Sequence, residues 1–178
     1  TQFVWGSVTT QAGETATISG VGSLTIGTDG GYTFSPAANY HGSVPSATYT
    51  VTDGQLSTTS TLSIALTSVN DGPVGVVDTV TTVEDVSATG NVLSNDGDVD
   101  GDPLSVTQFV WGSVTTQAGE TATISGVGTL TIGTDGGYTF SPAENYHGAV
   151  PSATYTVTDG QLSTTSTLAI ALTSVNDG

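Results

Sequence analysis

Apolar positions in this chain alternate with Thr and Ser, a period of two rather than of 3.6. Tyr32 and Phe34 share a face, as do Ala47, Tyr49 and Val51, with Thr48, Thr50 and Thr52 opposite. Leu62, Ile64 and Leu66 alternate with Ser63, Ala65 and Thr67. The same patterns return as Tyr138/Phe140, Ala153/Tyr155/Val157 and Leu168/Ile170/Leu172, and further short runs fall at 76–83, 86–93, 104–111, 121–125 and 129–132. Period-two runs broken by Gly and Asp at roughly ten-residue spacing predict short strands, each burying one face. The expected architecture is all-β, an antiparallel sandwich. No apolar period of 3.6 persists for more than two turns, so no long helix is expected.

The patterns return because the sequence repeats. Residues 1–72 recur at 107–178 with four differences: Ser23/Thr129, Ala38/Glu144, Ser43/Ala149 and Ser63/Ala169. Near-identity at a fixed offset overrides the single domain that the length alone would suggest. Asn70-Asp71-Gly72-Pro73 is a run of strand-stopping residues, and Asn-Asp-Gly closes the chain again at 176–178. The expected division is therefore a partial unit at 1–72 and a complete unit at 73–178, about the size of a β-sandwich domain. The partial unit lacks the counterpart of 73–106. One face of its sandwich should then stand open, to be completed by another chain or by more of a longer array.

Charge narrows the function. The 178 residues hold 16 Asp and Glu, no Lys, no Arg and no Cys, for a formal charge of −16. Phosphate neutralisation needs Lys and Arg, so nucleic-acid binding and attachment to anionic membranes are excluded. No apolar run approaches the ~18 residues of a spanning helix. Disulfides, thiolate chemistry and Cys–zinc sites are excluded too. Yet 35% of residues are hydrophobic and only 9% charged, which is not the composition of a disordered chain.

The acid is unevenly spread. Segment 73–106 carries seven carboxylates, against four in 1–72 and five in 107–178, and four of the seven alternate in Asp96-Gly97-Asp98-Val99-Asp100-Gly101-Asp102. Each like-charge pair at ~4–6 Å costs on the order of 1 kcal/mol near a surface. With no basic side chain available, a hard divalent cation is the natural counter-charge, and Ca²⁺ takes oxygen ligands of this kind. The run opens like an EF-hand loop, but its twelfth position is Thr107 and no helices flank it. It reads as a calcium-type loop of another class, the alternative being a solvated acidic turn.

The complete unit runs through Thr82-Val83-Glu84-Asp85 and Asn91-Val92-Leu93-Ser94-Asn95-Asp96 to Asp102-Pro103-Leu104. It continues through Gly137-Tyr138-Thr139-Phe140-Ser141-Pro142, Asn145-Tyr146-His147-Gly148 and Thr154-Tyr155-Thr156-Val157-Thr158-Asp159-Gly160 to Asn176-Asp177-Gly178. This order resembles the cadherin-like and VCBS-type tandem repeats of very large bacterial surface adhesins, including RTX-type adhesins. The resemblance implies an Ig/cadherin-like Greek-key sandwich, non-enzymatic, extracellular, and acting as a calcium-stiffened extender that holds a distal binding domain away from the cell. It implies neighbouring repeats as partners, and metal ligands at Asn70, Asp71, Asp98, Asp100, Asp102 and Asp159. Glu84 would serve the opposite end of the domain, near Asp177.

Two other readings follow from the residues. Near-identical units suit a filament or sheath built by strand sharing between copies. A glycan-binding module would use Trp5 or Trp111 for stacking, although a strand Trp is more often core. His41 and His147, each in Asn-Tyr-His-Gly, are expected to stabilise turns. Tyr49 and Tyr155 are expected in the core with bonded hydroxyls.

Overall fold

Strand and turn account for residues 1–175, the part that this computed structural model describes, with no helix among them. The chain divides into two units, Thr1–Val69 and the residues from Asn70 onward. Asn70 and Asp71 go with the second unit because both bond to side chains there.

The first unit contains β1 (Gln2–Trp5), β2 (Val8–Gln11), β3 (Thr15–Ile18), β4 (Gly22–Ile26), β5 (Tyr32–Pro36), β6 (Ala47–Thr52) and β7 (Ser57–Leu62). Its sheets run β2-β1-β6-β7 and β3-β4-β5. The second unit repeats this plan in β10 (Ser105–Trp111), β11 (Val114–Gln117), β12 (Thr121–Ile124), β13 (Gly128–Ile132), β14 (Gly137–Pro142), β15 (Ala153–Thr158) and β16 (Ser163–Thr173). It adds β8 (Asp78–Val83) and β9 (Ala88–Asn91), giving sheets β11-β10-β15-β16-β8 and β12-β13-β14-β9.

The sheets of the second unit close on one core. Phe109, Trp111, Tyr155 and Leu168 from one sheet meet Leu130, Ile132 and Phe140 from the other, all fully buried. Trp111 packs edge-on to Phe140 at 5.9 Å, and its indole N–H donates to the Pro151 carbonyl at 2.8 Å. Trp5 does the same with Phe34 and Pro45. Both tryptophans are fully buried, which removes the surface that sugar stacking would need.

Every strand pair of the named sheets is antiparallel except β16–β8, which pairs in parallel with Ile170 opposite Val80. Alternation marks which face is buried but not strand direction, so this pair was not legible from pattern. The short strands β2 and β11 also lie outside the alternating runs. Each carries a single Val and is folded back by a tight two-residue turn, Trp111 pairing with Val114 across Gly112-Ser113.

What β8 and β9 contribute is visible by comparing the units. Tyr138 is 8% exposed and its counterpart Tyr32 59%; Val157 is fully buried and Val51 is 48% exposed. Tyr49, Leu62 and Ile64 are half-buried where Tyr155, Leu168 and Ile170 are buried. Residues 63–67 form no strand, whereas the equivalent 169–173 continue β16 alongside β8. Strand conformation here follows from having a ladder partner rather than from the local sequence.

Candidate metal centre

The loop between β9 and β10 turns back on itself through its own carboxylates. Asp98 Oδ1 accepts from the Asp100 amide at 2.8 Å and from the Asp102 amide at 3.4 Å. Gly101, at φ 79°, takes the left-handed conformation that this tight fold requires. The result gathers Asp98, Asp100 and Asp102, all half-buried, with one carboxylate oxygen of each within 4.8 Å of the others.

Asp98 Oδ2 is buried and has no hydrogen-bond partner. A buried carboxylate oxygen without a donor is costly, and the chain has no Lys or Arg to supply one. A hard cation satisfies that oxygen and relieves the repulsion among the three carboxylates at the same time. The donor set, oxygen only, suits Ca²⁺ in particular. Asp98 and Asp102 also line a concavity of about 610 Å³ together with Asp96 and Asp135.

The entry segment of the unit is tied to the same region. The Asp71 amide donates to Asp100 Oδ2 at 2.7 Å. Asn70 Nδ2 donates to Asp159 Oδ2 at 2.8 Å, while Asn70 Oδ1 accepts from Gln161 Nε2 at 3.1 Å. Asp159 Oδ1 takes the amides of Gln161 and Leu162, both at 2.6 Å. The Asn70 side chain, followed by these two amides, holds the Asp159 carboxyl below the usual carboxylate range. Hydrogen bonds thus link Asn70, Asp71, Asp100 and Asp159. Gln161 belongs to this network as well, and nothing in its sequence context announced it.

Two acidic residues are placed elsewhere. Asp96, first of the alternating four, accepts from the Val76 amide at 2.6 Å through Oδ1, and its Oδ2 lies 3.4 Å from the Tyr155 hydroxyl. It therefore serves the start of β8 rather than the group formed by the next three. Glu84 follows the other end of β8, is 4% exposed, accepts a hydrogen bond from the Val175 amide, and lies 3.9 Å from His147 Nδ1. Six strand residues separate the two ends of β8 by ~20 Å. Beside Glu84, Asp85 Oδ1 caps the Asn145 amide at 2.8 Å. Asp177, expected near Glu84, lies outside the described residues.

Tyr155 is the polar centre of the complete sandwich. Its hydroxyl lies 2.7 Å from Asp78 Oδ2, 3.0 Å from the Val92 carbonyl and 3.3 Å from the Val76 carbonyl. Burial, before any other influence, pushes the phenol well above its ordinary value, so it remains a donor. Asp78 is in turn raised, first by desolvation and in part by Asp96. Tyr49 has no counterparts of these partners, because the first unit has no equivalent of 76–96.

Comparison with known proteins agrees with this architecture. Residues 70–174 match the family described as bacterial cadherin-like domain, and residues 7–67 match cadherin-like domain. No curated protein matches the chain significantly. Among solved structures, an endo-fucoidan hydrolase of glycoside hydrolase family 107 is 19% identical over 92% of this chain and 23% of that one, with a TM-score of 0.40. A nucleoside hydrolase-related protein from Saccharophagus degradans is 16% identical over 59% of this chain and 26% of that one, with a TM-score of 0.40. A chimeric titin Z1Z2 tandem is 14% identical over 96% of this chain and 82% of that one, with a TM-score of 0.37. The chain spans about a quarter of the length of the first two of these proteins.

Proposed function

The chain belongs to the bacterial cadherin-like domain family, and from that premise we propose that it is a non-enzymatic, calcium-stiffened extender of a large bacterial surface adhesin. Domains of this family are generally structural modules of extracellular surface proteins. The finer reading rests above all on one observation: the buried, unpartnered Asp98 Oδ2 within a three-carboxylate group, in a chain lacking any basic side chain but His. Calcium is the cation that cadherin-like domains commonly hold.

Asp98, Asp100 and Asp102 would hold the ion, which supplies positive charge and a fixed coordination demand. Asp71 is already joined to Asp100 through its backbone, and Asn70 to Asp159. A rigid loop therefore means a rigid entry segment, with less slack in the chain that leads into the domain. An array of such domains, each with its entry segment pinned, would keep a distal binding domain extended from the cell surface. The electrostatic logic needs no substrate and no nucleophile.

The test is unfolding of the 178-residue chain in 5 mM Ca²⁺ and in EDTA, beside calorimetric titration of Ca²⁺. Extracellular calcium modules bind at Kd of about 10⁻⁴–10⁻³ M, so 5 mM ion should add about 1–2 kcal/mol to the second unit. Asp98→Asn combined with Asp100→Asn should abolish both the titration heat and the gain. Identical unfolding in Ca²⁺ and EDTA, with no titration heat, would overturn the metal reading and leave the loop as a solvated acidic turn.

A further inference from the structure

The first unit keeps an apolar groove of about 660 Å³, lined by residues that include Phe3, Ile26, Tyr32, Tyr49, Val51 and Leu62. Beside the groove, β7 pairs only with β6 and β5 only with β4, so two strand edges present free ladder groups. Exposed edges next to an apolar face are templates for an added strand.

The second unit shows what fits there, because it carries nearly the same face with the position filled. Its counterparts of Tyr32, Val51 and Leu62 are covered by the segment that holds β8 and β9, where β8 lies on β16 and β9 on β14. Transferred by the repeat offset, Asp78, Val80 and Thr82 would face Leu62, Ile64 and Leu66. Ala88 and Gly90 would face Phe34 and Tyr32. The fit at Gly90 is specific: a Cβ there would stand 2.7 Å from the Tyr138 ring, so only glycine leaves room for the tyrosine. Tyr49 would meet Asp78 and the Val92 carbonyl, as Tyr155 does.

We infer that the open face of the first unit is an acceptor for an extended acidic segment of the β8–β9 type, supplied by polypeptide other than residues 1–178. Exchange between copies of these residues does not fill it. Each copy has one such segment and two near-identical faces, so any exchange that covers one face uncovers another, and no net burial drives it. A supernumerary segment buries apolar surface with nothing uncovered in return. This inference goes beyond the extender reading and does not depend on a bound metal.

The probe is a synthetic peptide of residues 73–106, titrated into the full chain without Ca²⁺. Saturable one-to-one binding is expected, with amide exchange slowed at least tenfold in residues 57–67 and 32–34. Val51→Asp changes a side chain that is 48% exposed in the free unit, so the fold persists while docking would bury a charge. That variant should weaken binding at least a hundredfold, and so should a Gly90→Val peptide on the unaltered chain. The inference fails if binding does not saturate, or if neither substitution weakens it. It also fails if protection appears in the second unit instead, or if the chain dimerises through this face and excludes the peptide.

Discussion

Replacing Tyr155 by Phe removes one oxygen from the centre of the complete sandwich, and the repeat supplies an internal control in Tyr49. The ring of Tyr155 is fully buried and phenylalanine fills the same space, so no cavity opens. What is lost is the hydrogen bond to Asp78 at 2.7 Å, together with a partner for the Val92 carbonyl at 3.0 Å. A hydrogen bond to a charged group contributes about 1.5–3 kcal/mol, and a buried carbonyl left unpaired costs about 1–3 kcal/mol. Asp78 is only partly buried and can regain water, which argues for the lower part of the combined range, about 2–3 kcal/mol. For a domain of this size that is a fall in Tm of roughly 8–20 °C. Tyr49→Phe touches a half-exposed side chain with no such partners and should change stability by no more than about 0.5 kcal/mol. Urea unfolding followed by NMR, with β15 and β6 amides tracked separately, gives each unit its own free energy. If Tyr155→Phe costs under about 0.5 kcal/mol, or Tyr49→Phe costs as much as Tyr155→Phe, then the hydroxyl does not tether β8 and β9 as argued.

Two further outcomes can be checked on the same samples. The folded-state pKa of Asp78 is raised by desolvation, so the native state holds its proton more tightly than the unfolded chain does. Its contribution is fully present below the unfolded value near 3.8 and is lost as pH rises through the raised folded value. Asp78→Asn should remove that decline from the stability–pH curve of the second unit between those two values, and an unchanged curve would refute the assignment. Gly128 sits at φ 148°, and a Cβ added there would lie only 2.3 Å from the Ser141 carbonyl oxygen, so Gly128→Ala forces backbone apart. It should destabilise the second unit by about 2–4 kcal/mol in urea unfolding; a loss below about 1 kcal/mol would show that the β13–β14 pair can relax.

How far these features could be read from sequence depended on whether one residue or its surroundings determined them. The alternation of Tyr138/Phe140 and of Ala153/Tyr155/Val157 survives in the structure as buried and exposed faces, because one sheet face must leave water wherever the strand pairs. The run Leu62–Thr67 has the same alternation, yet only Leu62 lies in a strand, since no β8 equivalent offers it a ladder. The parallel direction of β8 and the pairing of β2 were invisible for the same reason: both are properties of a partner. In the acidic loop, spacing brought Asp98, Asp100 and Asp102 together, but it could not separate Asp96 from them. That separation comes from Val76 and Tyr155, distant in sequence, which take Asp96 into their own hydrogen bonds. Trp5 and Trp111 were ambiguous until a carbonyl partner for each indole explained how it could be buried whole.

The concentration of acid in 73–106 has a structural logic once these bonds are set beside one another. The segment that completes the sandwich is also the one that carries the acidic loop. Asp96 fastens the start of the loop to Val76, just before β8, and stands beside the tyrosine that Asp78 accepts from. Two residues later the Asp98 carboxylate begins the three-acid group, and Asp100 takes the Asp71 amide at the entry to the unit. Order in the loop therefore bears on both ends of the segment 71–96. Three clustered carboxylates without a counter-charge push that loop apart, and a cation among them would hold it closed. Such an ion would act on the entry segment through Asp100 and on the seating of β8 through the short path from Asp98 to Asp96. Binding energy gained at the surface of the unit would then appear as resistance to opening of the β8 edge, which is the edge that the first unit leaves uncovered.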